Sequence, residues 1–242
     1  MTADLMKFST PYRCAIYFAP KVGGAWWTAG SEWLGRCAAT NGVLEQPQLA
    51  GVPRSLQRNL TAEPRRYGWH ATLKAPFRIG LEHNLEDVVL RVRDIAAHHQ
   101  AFDMPELRPD TRGGFLALRP VGDHARINAL AASCVRELHS FAAPLSELDL
   151  ARRRKSNLTP EQNQLLMAWG YPYVMEQFRF HLSLTGALGA VSPELQQAWV
   201  KGAQVHFQQL PICRFDRISI FVEPTSGADF QFFQAIPLCR ST

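Results

Sequence analysis

YGWHATLKA, residues 67–75, and FRFHLSLTG, residues 178–186, share one pattern: a histidine, one apolar residue, then a hydroxyl, inside an otherwise hydrophobic run. Side chains alternate faces along a strand, so residues of one parity look the same way. On that rule Gly68, His70, Thr72 and Lys74 share one face, and Trp69, Ala71, Leu73 and Ala75 the other. In the second stretch Arg179, His181, Ser183 and Thr185 oppose Phe178, Phe180, Leu182 and Leu184. Each run is apolar on one side and chemically armed on the other. The strand expected over Cys14 to Phe18 divides alike, with Arg13 and Tyr17 opposite Cys14, Ile16 and Phe18.

Each histidine run also has the same sequel. After the first, Asn84 can cap a helix whose apolar positions Leu85, Val88, Val89, Val92, Ile95 and Ala96 form one stripe, with Asp87 suited to its first turn. Phe102 to Leu107 and Gly114 to Arg119 then read as two strands joined by the turn-rich PDTRG. After the second, Ser192 and Pro193 start a helix that runs to about Gln209, and Ile212 to Val222 and Phe230 to Leu238 read as strands. Histidine strand, amphipathic helix, two strands: the order occurs twice. Its simplest reading is an α+β fold in which a duplicated unit makes two lobes, with elements at roughly 60–120 and 176–240.

The rest of the chain is less regular. Ala25 to Cys37 reads as an aromatic-rich helix and residues 38–62 as a long loop. A helix is expected from about Asp123 to Phe141, then a more polar helical insert over about 142–175. The insert carries ARRRKSN and then Thr159-Pro160-Glu161-Gln162, which has capping-box spacing with proline at the first helical position; Gly170 should end that helix. A run such as Arg152 to Lys155 is more often a solvated face than a nucleic-acid groove, and here no aromatic residues interleave it to stack bases. Its position just before the second histidine run makes it a candidate lid.

The 242 residues, 46% hydrophobic and 19% charged, suit one domain or two intimate lobes and argue against a disordered or fibrous chain. A formal charge of +5 and a pI near 9.1 favour anionic partners. The five cysteines stand apart, with no C-x-x-C pair and no nearby histidine at metal-ligand spacing, so neither a disulfide framework nor a metal site is expected. MTADLMKFSTPYR does not read as a secretory leader, and no window holds the apolar run of a membrane span. A cytoplasmic protein is the expectation.

With eight histidines, and serine plus threonine about a tenth of the chain, roughly one H-x-[ST] spacing arises by chance. Two of them, on strand-like runs of equal parity with the same sequel, carry more weight. His70-Ala71-Thr72-Leu73 and His181-Leu182-Ser183-Leu184 resemble the paired H-x-[TS]-x signatures of the two-histidine (2H) phosphoesterase superfamily. RYGWHATLKAPFRI, GGFLAL, LARRRKSNLTP and WGYPYV…FRFHLSLTG further resemble its bacterial branch associated with phosphonate-utilisation genes. The second signature departs by carrying serine where many members have threonine, which keeps the hydroxyl. The resemblance implies two pseudo-symmetric antiparallel sheets with flanking helices around a central cleft. It also implies histidines facing each other there, and activity on cyclic phosphodiesters or 2′,5′-linked oligonucleotides.

The chemistry explains the pairing. In-line opening of a cyclic phosphodiester needs a base on the attacking water and an acid on the leaving oxygen, at opposite ends of the phosphorus axis. Imidazole fills either role near neutrality. His70 and His181 are therefore the expected acid and base, either way round, with no metal or other cofactor. Thr72 and Ser183 would hydrogen-bond the non-bridging oxygens as charge develops. Lys74 and Arg179, by parity, and Tyr17 and Tyr173, as stacking platforms, are the expected substrate-binding residues. The expected partner is a small phosphorylated sugar or nucleotide, a ribosyl cyclic phosphate by the family's gene association. The alternatives are RNA ends bearing 2′,3′-cyclic or 2′,5′ linkages, and a non-catalytic module that binds a phosphorylated metabolite.

Overall fold

The computed structural model describes residues 10–155 and 157–239; residues 1–9, on which the expectation about a secretory leader falls, Ser156 of the ARRRKSN stretch and residues 240–242 lie outside the described residues. Two antiparallel sheets carry the architecture. The larger runs in the order β11 (Gln231–Pro237), β10 (Arg217–Glu223), β1 (Arg13–Phe18), β4 (Ala71–Phe77). The smaller runs β6 (Leu107–Asp110), β7 (Phe115–Pro120), β8 (Leu182–Ala187). The fold is α+β, and the sequence of β4 and β8 places one histidine immediately before each strand.

The sheets do not follow the division of the chain into 60–120 and 176–240. β6 and β7, from the first repeat, pair with the histidine strand of the second; β10 and β11, from the second, share a sheet with the histidine strand of the first. A two-stranded hairpin is marginal alone, and here each hairpin extends a sheet that the other repeat's histidine strand also joins. The helices cross over too. α3 (Leu85–Ala97), from the first repeat, packs on β10 and β11, and α7 (Pro193–Phe207), from the second, packs on β6. The short strands β5 (Phe102–Asp103) and β9 (Arg214–Phe215) hold equivalent places in the two repeats and pair with each other. Their Phe102 and Phe215 rings stack at 5.2 Å. One hydrophobic core runs through both sheets, including Ile16, Phe18, Leu73, Leu118, Leu184 and Ile220.

Several local expectations hold because the capping and packing chemistry is met. Asn84 accepts from the amides of Glu86 and Asp87 while Asp87 accepts from the Asn84 amide, closing a capping box on α3. The helix expected over about 123–141 is α4 (Ala125–Glu137), which packs on β4 through Ile127, Leu130, Ala131, Cys134 and Val135 as its buried face. Thr159 and Gln162 close a second capping box on a helix of the insert that ends at Gly170, which is left-handed.

The loop expected over 38–62 is a correction. Two-residue strands β2 (Arg36–Cys37) and β3 (Gly42–Val43) lie near its start, and α2 (Arg54–Tyr67) occupies its end and packs on β8. The helix escapes a hydrophobic-pattern reading because its buried residues are Gln57, Thr61 and Pro64. Their polar groups are met internally: Gln57 donates to the Pro47 carbonyl at 2.8 Å, and Thr61 donates to the Gln57 carbonyl at 2.9 Å. Pro64, ordinarily a breaker, falls close to the helix's C-terminal end.

Strand parity fails at Lys74. Across β1 and β4, Tyr17 pairs with Thr72 but Ile16 pairs with Lys74, because a bulge interrupts the register. Paired residues point to the same face, so Thr72 joins Tyr17, while Lys74 turns to the face of Ile16. A second shift, between Ile16 and Cys14, brings Phe77 back opposite Cys14, so the inversion is confined to the stretch around Lys74.

Candidate active site

Both histidines are held in one way. His70 Nδ1 lies 2.8 Å from the carbonyl of Gly68, and His181 Nδ1 lies 2.7 Å from the carbonyl of Arg179, two residues earlier in each case. An Nδ1–H donated there leaves Nε2 as the free, unprotonated nitrogen of the neutral ring. Thr72 Oγ1 stands 3.3 Å from His70 Nε2.

The local sequence builds the first anchor with some care. Gly68 caps α2 at φ 79° and ψ 178°, a region open essentially to glycine, and a Cβ there would stand 2.6 Å from the Ala38 Cβ. Trp69 next to it lies flat on Gly30 of α1 (Ala25–Leu34): a Cβ on Gly30 would come within 2.1 Å of the indole. His70 therefore leaves a locked corner. Its ring stacks on Tyr17 at 3.8 Å with 26° between planes, and Phe221 and Tyr67 stand at 6.3 and 6.2 Å.

The surroundings set the charge. Burial pushes His70 down to about 4, the Gly68 hydrogen bond opposes that, and a positive charge on His181 adds to the depression. His181 is also lowered, chiefly by burial, with Arg119 contributing.

A cleft of about 490 Å³ opens here, lined by Tyr17, His70 and Thr72 from one sheet and Phe115, Ser183 and Thr185 from the other. His181 meets Phe115 edge-on at 5.2 Å. The insert contributes α5 (Glu147–Arg154) and α6 (Pro160–Trp169). Arg153 and Tyr171 from that insert also line the cleft.

Of the residues expected to bind substrate, Tyr17 lies in the cleft wall and is otherwise enclosed by the core. Three do not line it. Lys74, turned by the bulge, lines a neighbouring chamber instead. Tyr173 is exposed and meets Tyr171 edge-on at 5.6 Å; it is Tyr171 that lines the cleft. Arg179 is exposed and donates to the carbonyls of Glu176 and Phe178, so that its part in the site is played by its backbone oxygen.

Arg153 and Arg13 were not anticipated. Arg153 sits in a run of four cations, yet on α5 it alone of them is not exposed. Helical period could have found it, since one residue in a run of four on a docked helix must face inward. Arg13 has its charge matched by the fully buried Glu223, which also accepts from Arg66 at 2.6 Å. Among the described residues no group of three or more His, Cys, Asp or Glu could hold a metal ion, and no helix is long and apolar enough to cross a membrane.

Residues 72–231 match the family described as "Protein of unknown function (DUF1045)". The chain belongs to that family. The match begins at Thr72 and so takes in most of the first histidine strand and the whole of the second signature. Two similar curated proteins carry the name ribose 1,5-bisphosphate phosphokinase PhnN. That of Janthinobacterium sp. (strain Marseille) is 40% identical over 229 residues, covering 93% of this chain and 50% of its own length. That of Laribacter hongkongensis (strain HLHK9) is 33% identical over 228 residues, covering 94% and 51%. The chain thus spans about half the length of the curated relatives it matches. Among solved structures, that of E. coli LigT complexed with NADP+ aligns at a TM-score of 0.41 and 11% identity, over 96% of this chain and 99% of the other.

Proposed function

We propose that this member of the DUF1045 family is a phosphoesterase that opens a cyclic phosphodiester on a small sugar, with His70 and His181 as general base and general acid. The observation that carries the reading is the shared anchoring of the two imidazoles. Each gives Nδ1 to a carbonyl two residues back and keeps Nε2 for a reacting proton; His70 lines the cleft just before β4, and His181 stands just before β8, whose Ser183 lines the same cleft, and against Phe115 of its wall.

The environments divide the roles. His70 is the more strongly depressed, so of the two rings His181 is the one that more readily takes a proton and His70 the one held neutral. Neutral His70 takes a proton from water through Nε2 as the water oxygen bonds to phosphorus. Protonated His181 gives its proton to the ring oxygen as the P–O bond breaks, leaving a phosphomonoester and a free hydroxyl. Thr72 and Ser183 would donate to the non-bridging oxygens, where negative charge grows. Each general acid or base of this kind contributes about 10²–10⁴ in rate.

A ribose carrier is supported by the relatives' name, which concerns ribose bearing two phosphate monoesters. Opening a cyclic phosphate on ribose yields a ribose phosphate monoester, the same class of compound. The phosphonate setting rests on the resemblance of the sequence alone.

Phosphorus NMR tests the proposal, with the purified protein in EDTA against ribose cyclic phosphates, 2′,3′-cyclic nucleotides and a 2′,5′-linked dinucleotide. Ring opening of a ribose cyclic phosphate should fall by about 10² or more in both His70→Ala and His181→Ala. Preference for the nucleotides would shift the reading to RNA ends. Binding with no turnover across the panel would leave a non-catalytic module.

A further inference from the structure

Next to the cleft lies a chamber of about 360 Å³ between β4 and the helical insert. The two spaces share Arg13, Ala75, Pro76, Asp149, Arg153 and Tyr171 in their walls and so adjoin one another. Lys74 lines the far space. It is only 5% exposed, and among the described residues no carboxylate lies within ion-pair distance of its ammonium. The Phe77 ring, 5.1 Å away, favours the charge, and the Cys14 and Cys134 thiols, themselves pushed up by burial, are the ammonium's other polar neighbours.

Arg153 stands at the opening with the same lack of an ion pair. Its guanidinium lies over Tyr171 at 5.3 Å and reaches the Pro76 carbonyl at 3.4 Å. The one carboxylate in the shared wall, Asp149, already accepts from Ser146 at 2.7 Å, Arg152 at 2.8 Å and Arg78 at 3.4 Å. Two cations in a sheltered space are therefore left without a counter-ion, an arrangement that is unfavourable unless an anion arrives with a ligand. Burial draws Lys74 down to about 8, which still leaves most of it charged at neutral pH.

We infer that the chamber takes a second anionic group of the substrate, a phosphomonoester remote from the cyclic phosphodiester, with Lys74 and Arg153 as its counter-ions. The inference rests on the cleft being where the cyclic phosphate opens. A phosphomonoester carries about −1.5 to −2 at neutral pH and so matches two cations, whereas a carboxylate would match one. The lysine supplies a point charge at the back, and the planar guanidinium a fork at the mouth. Arg153 would also give the insert a direct contact with a substrate that carries the remote phosphate.

The test compares two ribose cyclic phosphates that differ only in the remote phosphomonoester. Wild type should show kcat/KM about 10²-fold higher for the phosphorylated one, the scale of one or two charge-assisted hydrogen bonds. Lys74→Met and Arg153→Gln should each reduce that preference about tenfold or more. Lys74 is buried and its variant could misfold; Arg153 sits on a peripheral helix and gives the same readout. Equal kcat/KM for the two substrates, or a preference untouched by both variants, overturns the inference. Calorimetric titration with ribose 5-phosphate separates the two readings. Binding that weakens in Lys74→Met or Arg153→Gln but not in His70→Ala sustains the chamber even if no ring opens, in which case only the reading of the cleft falls. No binding of that probe by wild type at millimolar concentration removes the chamber.

Discussion

At the first histidine, the accepting carbonyl belongs to a glycine held at positive φ, and the ring rests on Tyr17 among further aromatic rings. At the second, the carbonyl belongs to Arg179, an exposed residue, and the ring meets the edge of Phe115. The same Nδ1 anchor is thus made once by a rigid corner of the core and once by an ordinary stretch of backbone. A pseudo-symmetric pair needs to differ if one member is to give a proton while the other takes one. Burial holds both rings toward the neutral form, and the more enclosed His70 the more strongly.

The contrast breaks most sharply at the two anchoring residues. Gly68→Ala forces a side chain into a glycine-only conformation and against Ala38, and should cost about 3 kcal/mol of stability in denaturant unfolding. Arg179→Ala keeps the backbone oxygen that His181 uses and should stay within about 0.5 kcal/mol. Comparable losses in the two variants would mean that the anchors are equivalent after all.

The pH dependence of stability sharpens the same contrast. His70 titrates near 6.5 when unfolded and about 4 when folded. Above 6.5 both states are neutral and the group contributes no slope. Between about 6.5 and 4 the unfolded chain holds a proton that the folded one lacks, so stability falls as pH falls, by up to about 1.4 kcal/mol per pH unit. Unfolding curves of His70→Asn should be flatter than wild type across that window, and those of His181→Asn should flatten less, its depression being smaller. A wild-type slope retained in His70→Asn would remove the case for a neutral base.

Much of this was legible in the chain. The repeated order of elements, the stripes of α3 and the capping boxes at Asn84 and Thr159 are local signals, and they hold because each rests on neighbours in sequence. The exchange of hairpins between the sheets was not legible, since nothing within either repeat records which histidine strand its hairpin will join. α2 was hidden because its inward face is Gln57 and Thr61, polar residues satisfied by partners that only the fold supplies. The face of Lys74 is hidden by a bulge, and Tyr171 rather than Tyr173 lines the cleft, two residues away in an irregular segment where parity has no meaning. Arg153 lay inside a run whose average character is solvated, and only the docking of its helix singles it out.

The smallest expected difference lies in the two hydroxyls. Thr72 is β-branched and stiff at χ1, and its Oγ1 stands 3.3 Å from His70 Nε2. Ser183 has no such branch, and the residue paired with it on β7 is Ala117, which presents only a methyl group. A serine hydroxyl must be brought from several rotamers to the one that meets the phosphoryl oxygen, whereas a threonine starts nearer to it. Ser183→Thr should therefore raise kcat on a cyclic phosphate by about two- to threefold, the worth of about 0.5 kcal/mol of side-chain ordering, and Thr72→Ser should lower it by a similar factor. Both effects are small because the hydroxyl survives in each. A tenfold loss in Ser183→Thr would instead show that the second side of the cleft is filled to the methyl group, making it the tighter wall and placing substrate selection beside His181 rather than at the aromatic socket of His70.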